Sequence, residues 1–249
     1  MSEVSFRVSN GDKIGLVGRN GAGKTTLTKT LAGDLQPAGG LIEVGGEIGY
    51  LPQDPRSGDP EELARTRILN ARGLGSLVQG MAENSMLMGD ADEKVAAEAM
   101  RKYGELADRF DALGGYAAEA EAASIASNLQ LPDRILDQPL KTLSGGQRRR
   151  IELARILFSG AETMLLDEPT QGMGHEDVNL VTELIKQVAK GRTVLMVEHN
   201  MKVVANIAHT ISVLQRGEVI AEGPYEQVSR NPQVMEAYMG TADTELQGH

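Results

Sequence analysis

Residues 18–26 read GRNGAGKTT and follow directly on the apolar run Ile14-Gly15-Leu16-Val17. Three glycines, a lysine and two threonines in nine positions make a loop that is almost all backbone. The spacing Gly18-x-x-x-x-Gly23-Lys24-Thr25 matches the phosphate-binding loop G-x-x-x-x-G-K-[ST]. Glycines let successive N–H groups turn inward on phosphate oxygens, and a helix starting there adds its positive end. Lys24 is then placed to reach the β and γ phosphates, and the Thr25 hydroxyl to ligate Mg²⁺. The motif needs a strand before it and a helix after it. Residues 13–17 read as the strand, and Lys24 to Ala32 as a helix closed by Gly33.

Outward from this loop, short apolar runs alternate with helical patterns, which predicts an α/β fold with a largely parallel sheet. Glu47–Leu51, Met164–Leu166 and Thr193–Val197 read as strands. Ile211–Leu214 and Glu218–Ala221 read as a late hairpin turning through Arg216-Gly217. From Asp54 to about Thr142 there is almost no β-rich run. Asp59-Pro60 is expected to cap a helix reaching about Arg72, with further helices over Asp90–Leu113 and Glu119–Leu129. That predicts a helical insertion over about 54–142. The Gly- and Met-rich stretch 71–90 is expected to be a flexible linker, and the tail 241–249 to be disordered.

Chemistry on a bound phosphate needs a carboxylate for the metal and a group to position water. Thr163-Met164-Leu165-Leu166-Asp167-Glu168 offers both at the C-terminal edge of a strand, where ligands of such sheets bind. Asp167 is expected in the Mg²⁺ shell and Glu168 beside the attacking water. A second anion site is expected at Leu143-Ser144-Gly145-Gly146-Gln147, where Ser144 can cap a helix running from Gly145 to Phe158. Two glycines at a helix start are costly, which favours a ligand role over a structural one.

With 41% apolar residues in 249, the chain can bury a core, and with 3% aromatics and no Trp the aliphatic residues and 11 Met must fill it. A net charge of -10 argues against direct DNA binding, which needs a basic footprint. Arg148-Arg149-Arg150 is the one dense basic run and reads equally as a solvated helix face or a contact patch. The absence of cysteine rules out disulfides and thiolate metal sites and fits a cytoplasmic location. No signal-peptide pattern and no apolar stretch near about 20 residues is found, so a membrane role is expected to need another chain.

In order along the chain, the loop Gly18–Thr25, the segment LSGGQ at 143–147 and TMLLDE at 163–168 resemble the Walker A, signature and Walker B motifs of ATP-binding-cassette (ABC) ATPases. The resemblance runs from about Met1 to Gly240 as a single nucleotide-binding domain, and implies a RecA-like P-loop NTPase core binding ATP and Mg²⁺. It also implies that Gly18, Asn20, Gly21, Gly23, Lys24, Thr25 and Thr26 hold the nucleotide, and that Gln53 in YLPQ contacts Mg²⁺ and water. His199 in VEHN matches the histidine that contacts the γ-phosphate. In this family two cassettes sandwich two ATPs, so Ser144, Gly145 and Gly146 of one chain are expected to close on the loop of the other in an ATP-dependent homodimer.

Two subfamilies are visible. Residues 1 to about 160 resemble the first cassette of an ABC-F protein, while VEHNMKVV, LQRGEVIAEG and NPQVMEAYMG resemble branched-chain amino-acid transporter ATPases. Neither template is expected to cover both halves. The chain is either a chimera joined near LLDEPT or one divergent natural protein, and a natural homologue aligning evenly across both halves would dispose of the former. A natural subunit would have membrane permease subunits as partners. Ribosome action is not expected, because the second cassette and charged linker of ABC-F proteins are not found here.

Two further departures bear on activity. Only 17 residues precede Gly18, and Phe6 falls after the position of the family's adenine-stacking aromatic. A lost stack removes about 0.5–1.5 kcal/mol, or up to about tenfold in affinity. The usual aspartate after Glu168-Pro169-Thr170 is replaced in Gln171-Gly172-Met173-Gly174, with Asp177 out of register. The alternative to a working ATPase is therefore a folded scaffold with weak turnover or none.

Overall fold

The computed structural model describes residues 7–54 and 59–239. Its elements run β1 (Lys13–Gly18), α1 (Lys24–Leu31), β2 (Ile48–Leu51), α2 (Ala64–Leu69), α3 (Gly75–Leu87), α4 (Glu93–Ala112), α5 (Gly115–Asn128) and α6 (Asp133–Leu136). There follow α7 (Gly145–Ser159), β3 (Thr163–Asp167), α8 (His175–Val188), β4 (Thr193–Val197), α9 (Met201–Ile207), β5 (Thr210–Gln215), β6 (Glu218–Gly223), α10 (Tyr225–Val228) and α11 (Pro232–Met239). One unit holds the chain up to Asp54 and from Ala161 onward; the other spans Pro55–Gly160. Among the described residues no helix is long and apolar enough to cross a membrane. Phe6 and the tail 241–249 lie outside the described residues.

In the first unit the sheet order is β2-β3-β4-β1-β5-β6, parallel except for β6, which returns antiparallel to β5. Every residue of β4 and four of five in β3 are buried. This is why both read as unbroken apolar runs: a strand covered on two faces has no polar side to alternate with. The register sets Val197 opposite both Leu16 and Asp167, and Leu51 opposite Leu166. The segments leaving β1, β2, β3 and β4 therefore emerge at one C-terminal edge. Leu16, Ala22, Leu165, Leu195, Val197 and Leu214 form the core under that edge, with Leu27 and Leu31 of α1 against it.

Two glycines of β1 are demanded by packing. A β-carbon on Gly15 would lie 2.1 Å from Val204 Cγ1, so α9 rides directly on the strand. One on Gly18 would lie 2.5 Å from the Leu214 carbonyl oxygen. The first glycine of the phosphate-loop motif is thus fixed by its neighbour strand, independently of any ligand.

The second unit is helical, and differs from expectation at several places. The helix expected from Asp59-Pro60 begins only at Ala64. The preceding backbone is engaged elsewhere: Leu63 bridges Pro139, Ala64 N donates to Gln138 O at 3.0 Å and Leu140 N to Glu62 O at 2.9 Å. The carbonyls of Pro60 and Glu62 accept from Lys141 N and Leu140 N and not from amides one turn further on, so the first helical bond to close is Arg67 N to Leu63 O. The stretch 71–90, expected as a flexible linker, contains α3, 13 residues long. Its Gly80 allows close approach to α4, since a β-carbon there would sit 3.0 Å from Leu106 Cδ1. Asp92 caps α4 by accepting from Lys94 N, and α5 starts at Gly115, ahead of the expected Glu119. The unit extends past 142 to take in α7, which packs on α2 and α5.

On α7, Glu152 is 2% exposed and accepts from Arg67 Nε and Arg155 Nε, each at 2.7 Å. A buried carboxylate is tolerated there because two guanidinium groups neutralise it. Glu152→Ala removes the carboxylate the two arginines share, although Arg67 keeps Glu62 at 3.7 Å and each retains some solvent access. It is expected to destabilise the chain by about 2–3 kcal/mol, read as a fall in Tm of roughly 4–12 °C.

Candidate functional site

The site lies in the first unit, at the edge where β1, β2, β3 and β4 end. Gly21 (φ +83°) and Gly23 (φ +99°) adopt the left-handed backbone that favours glycine, and Gly23 caps α1 without a side chain. Asn20 and Gly21 on the loop, and Thr26 in the first turn of α1, are exposed. Lys24 is 5% exposed, and its ammonium donates to the carbonyls of Gly18 (2.7 Å) and Arg19 (3.3 Å). The loop thus holds a cation inside a ring of main chain.

A chain of polar contacts crosses from α1 to the strand ends. Thr25 Oγ1 lies 3.5 Å from Gln53 Oε1, and Gln53 Nε2 donates to Glu168 Oε2 at 3.0 Å. Asp167, fully buried at the end of β3, accepts at Oδ2 from Thr28 Oγ1 at 2.8 Å. Glu168 is a non-glycine residue at φ +47°, an uncommon conformation that its amide holds by donating to Val197 O at 2.8 Å. Burial, reinforced by the charge of Asp167, pushes the Tyr50 phenol up to about 12. Lys24, Thr25, Gln53, Asp167 and Glu168, expected as parts of one site, are brought together.

His199 follows β4, is exposed, and touches the cluster's surroundings through Glu198: its Nδ1 lies 3.7 Å from Glu198 Oε2. Glu198 is fully buried and its Oε1 accepts from Thr170 N (2.9 Å) and Thr170 Oγ1 (2.6 Å). That carboxylate ties the turn after β3 to the end of β4. Asp177, considered as a stand-in for the missing aspartate, is exposed in the first turn of α8.

Ser144, Gly145 and Gly146 belong to the helical unit. Ser144 Oγ accepts from Gln147 N at 3.2 Å while Gln147 Oε1 accepts from Ser144 N at 2.9 Å, a capping box that starts α7. A β-carbon at Gly145 would meet nothing within 4 Å. The fold therefore explains Ser144 and Gln147 but gives no reason for glycine at 145.

The sequence reading gave no role to Thr28, Tyr50, Thr170 or Glu198. Thr28 carried a weak signal, a hydroxyl between Leu27 and Leu31 on a core-facing helix. Glu198 carried the same signal as Glu168, an acid directly after an unbroken apolar strand.

A mainly parallel sheet, a lysine-bearing glycine loop opening a helix, and carboxylates at the adjacent strand ends define a P-loop NTPase fold. The chain belongs to the ABC transporter family, whose model matches residues 1–171, and a second model, branched-chain amino acid ATP-binding cassette transporter, matches residues 218–244. It is 35% identical to the tylosin resistance ATP-binding protein TlrC of Streptomyces fradiae, over 85% of this chain and 39% of that protein. It is 31% identical to the high-affinity branched-chain amino acid transport ATP-binding protein BraF of Pseudomonas aeruginosa, over 96% of this chain and 91% of that one. The energy-dependent translational throttle protein EttA of Escherichia coli is 34% identical over 90% of this chain and 40% of its own length.

Among solved structures, a putative metal-chelate type ABC transporter in an inward-facing conformation superposes with a TM-score of 0.69 at 23% identity, covering 95% of this chain and 81% of the other. An ATP-binding cassette solved as a dimer in a post-hydrolysis state with ADP and Pi gives 0.62 at 19% identity, covering 88% of each. The chain spans about two fifths of the length of TlrC and EttA, and nearly all of BraF. The expectation that neither subfamily template would reach across both halves is corrected: the matches to TlrC, EttA and BraF each cover 85% or more of the chain.

Proposed function

We propose that the chain binds Mg-ATP at the loop and strand-end cluster and hydrolyses it in a head-to-tail dimer, in which Ser144, Gly145 and Gly146 of one copy close on the loop of the other. The observation that carries this is the joined set Lys24–Thr25–Gln53–Asp167–Glu168 beside a left-handed glycine loop. The residues fit the nucleotide and its metal. Thr25 hydroxyl, Gln53 amide oxygen and Asp167 carboxylate are hard oxygen donors suited to Mg²⁺. When bound, Mg²⁺ neutralises charge on the β and γ phosphates.

The chain's own residues then divide the work. The amides of Asn20, Gly21 and Gly23 to Thr26 and the Lys24 ammonium bind the phosphates, while the amide of Ala22 closes the loop on the Arg19 carbonyl. Gln53 spans the metal side and Glu168, and Glu168 polarises water. His199, backed by Glu198, faces the γ-phosphate. Gly145 leaves room for a ligand to approach the head of α7, the role for which the fold supplies no substitute reason.

A mixing experiment tests the dimer. Lys24→Ala spoils the loop, and Gly146→Asp puts a negative side chain at the head of α7. Each alone is expected to release no phosphate, and the two together to recover it, because a mixed dimer holds one intact site. A silent mixture beside an active wild type sinks the sandwich. A folded wild type that binds ATP without releasing phosphate makes the chain a nucleotide-binding scaffold.

The BraF alignment favours a second, more specific reading, an ATPase subunit of an amino-acid transporter with membrane permease subunits as partners and a cytoplasmic location. Co-purification with membrane subunits tests it. Two joined parents have the split family matches in their favour, while the BraF alignment runs through both halves. Identity to BraF counted separately over 1–160 and 171–240 decides, equal values disposing of the chimera.

A further inference from the structure

Thr28 is fully buried on the face of α1 that meets the sheet, where Leu27 and Leu31 pack against the core. An aliphatic side chain would fill that place at lower cost, because a buried hydroxyl must be given partners. Its partners belong to the site. Thr28 Oγ1 donates to Asp167 Oδ2 at 2.8 Å and lies 3.0 Å from the carbonyl of Thr25. The Tyr50 phenol, from β2, lies near Thr28 and feels the charge of Asp167. One hydroxyl therefore stands within hydrogen-bonding distance of the main chain of one proposed metal ligand and the carboxylate of another.

We infer that Thr28 is a positioning residue for Mg²⁺: it fixes the Asp167 carboxylate relative to Thr25, so that the carboxylate and the Thr25 hydroxyl would be held ready for the metal. The inference rests on the Mg-ATP reading. Asp167 follows a rigid strand, but rotation about its own side-chain bonds is free unless a partner holds one oxygen. Thr28 holds Oδ2, which fixes the plane of the carboxylate at the strand end. Groups that orient a metal's ligands typically change metal affinity by about 10–100-fold when removed.

The test is binding of a fluorescent ATP analogue as a function of Mg²⁺, with EDTA as the metal-free arm. Thr28→Val keeps shape and removes the hydroxyl. It is expected to raise the Mg²⁺ concentration for half-saturation about tenfold, and to leave metal-free nucleotide binding within about twofold of wild type. Thr28→Ser against Thr28→Ala isolates the same hydroxyl at matched volume, should the valine variant fold poorly: serine is expected to resemble wild type and alanine to resemble valine. A general loss of packing would move both arms and treat serine and alanine alike. Equal Mg²⁺ half-saturation for the folded hydroxyl-bearing and hydroxyl-free variants overturns the inference while leaving Mg-ATP binding standing. A wild type that shows no Mg²⁺-dependent nucleotide binding overturns the functional reading, and this inference with it.

Discussion

Glu168→Gln is expected to slow phosphate release by about 10²–10⁴-fold, the contribution typical of a positioned general base, while leaving Mg-ATP binding intact. Glu168 sits at the edge where its strand ends, 5% exposed, with Oε2 accepting from Gln53 Nε2. Glutamine has the same shape and keeps an acceptor oxygen for that bond. It also keeps the backbone at φ +47°, which is held by the bond to Val197 O and not by the side chain. What it lacks is the negative charge that draws a proton from water. Nucleotide should then persist on the protein, and a dimer should accumulate with Mg-ATP. Single-turnover phosphate release and light scattering measure the two effects. A variant that releases phosphate within threefold of wild type removes Glu168 from the chemistry; one that loses the rate yet stays monomeric with bound ATP removes the sandwich.

The second large effect is expected from Lys24→Ala. The ammonium is buried and held by two carbonyls, with no carboxylate among the bonds seen. In the free protein it is a desolvated charge in a neutral cradle, so its removal costs the fold little. A triphosphate gives that charge its counter-ion. Truncating one member of a buried, hydrogen-bonded charge pair costs about 2–5 kcal/mol, so ATP affinity should fall by roughly 30-fold to several thousand-fold. Melting without nucleotide should stay near wild type. ATP titration with a fluorescent analogue, alongside Tm, separates the two. Unchanged affinity would place the phosphates elsewhere.

Much of this was legible before any coordinates. The loop, TMLLDE and LSGGQ each combine a local backbone demand with a chemical one, and both are written in adjacent residues. The strands β3 and β4 were legible because burial on both faces forces an unbroken apolar run. Boundaries in the helical unit were not. The late start of α2 depends on pairing with residues 138–141, more than 70 positions away, and the helix at 75–87 is built around a glycine that only its partner α4 explains.

The sequence alone determined the class of fold and the groups that would meet a nucleotide, because a phosphate cradle is a short-range object: spacing within nine residues sets where amides, ammonium and hydroxyl point. Tertiary structure alone decided which side chains support them. Thr28 finds Asp167 across 139 positions, Thr170 finds Glu198 across 28, and Gly18 is glycine because a carbonyl of β5 lies where its side chain would be. Such pairs depend on strand order and register, and a polar residue reveals its partner only when packing has closed off water as the alternative.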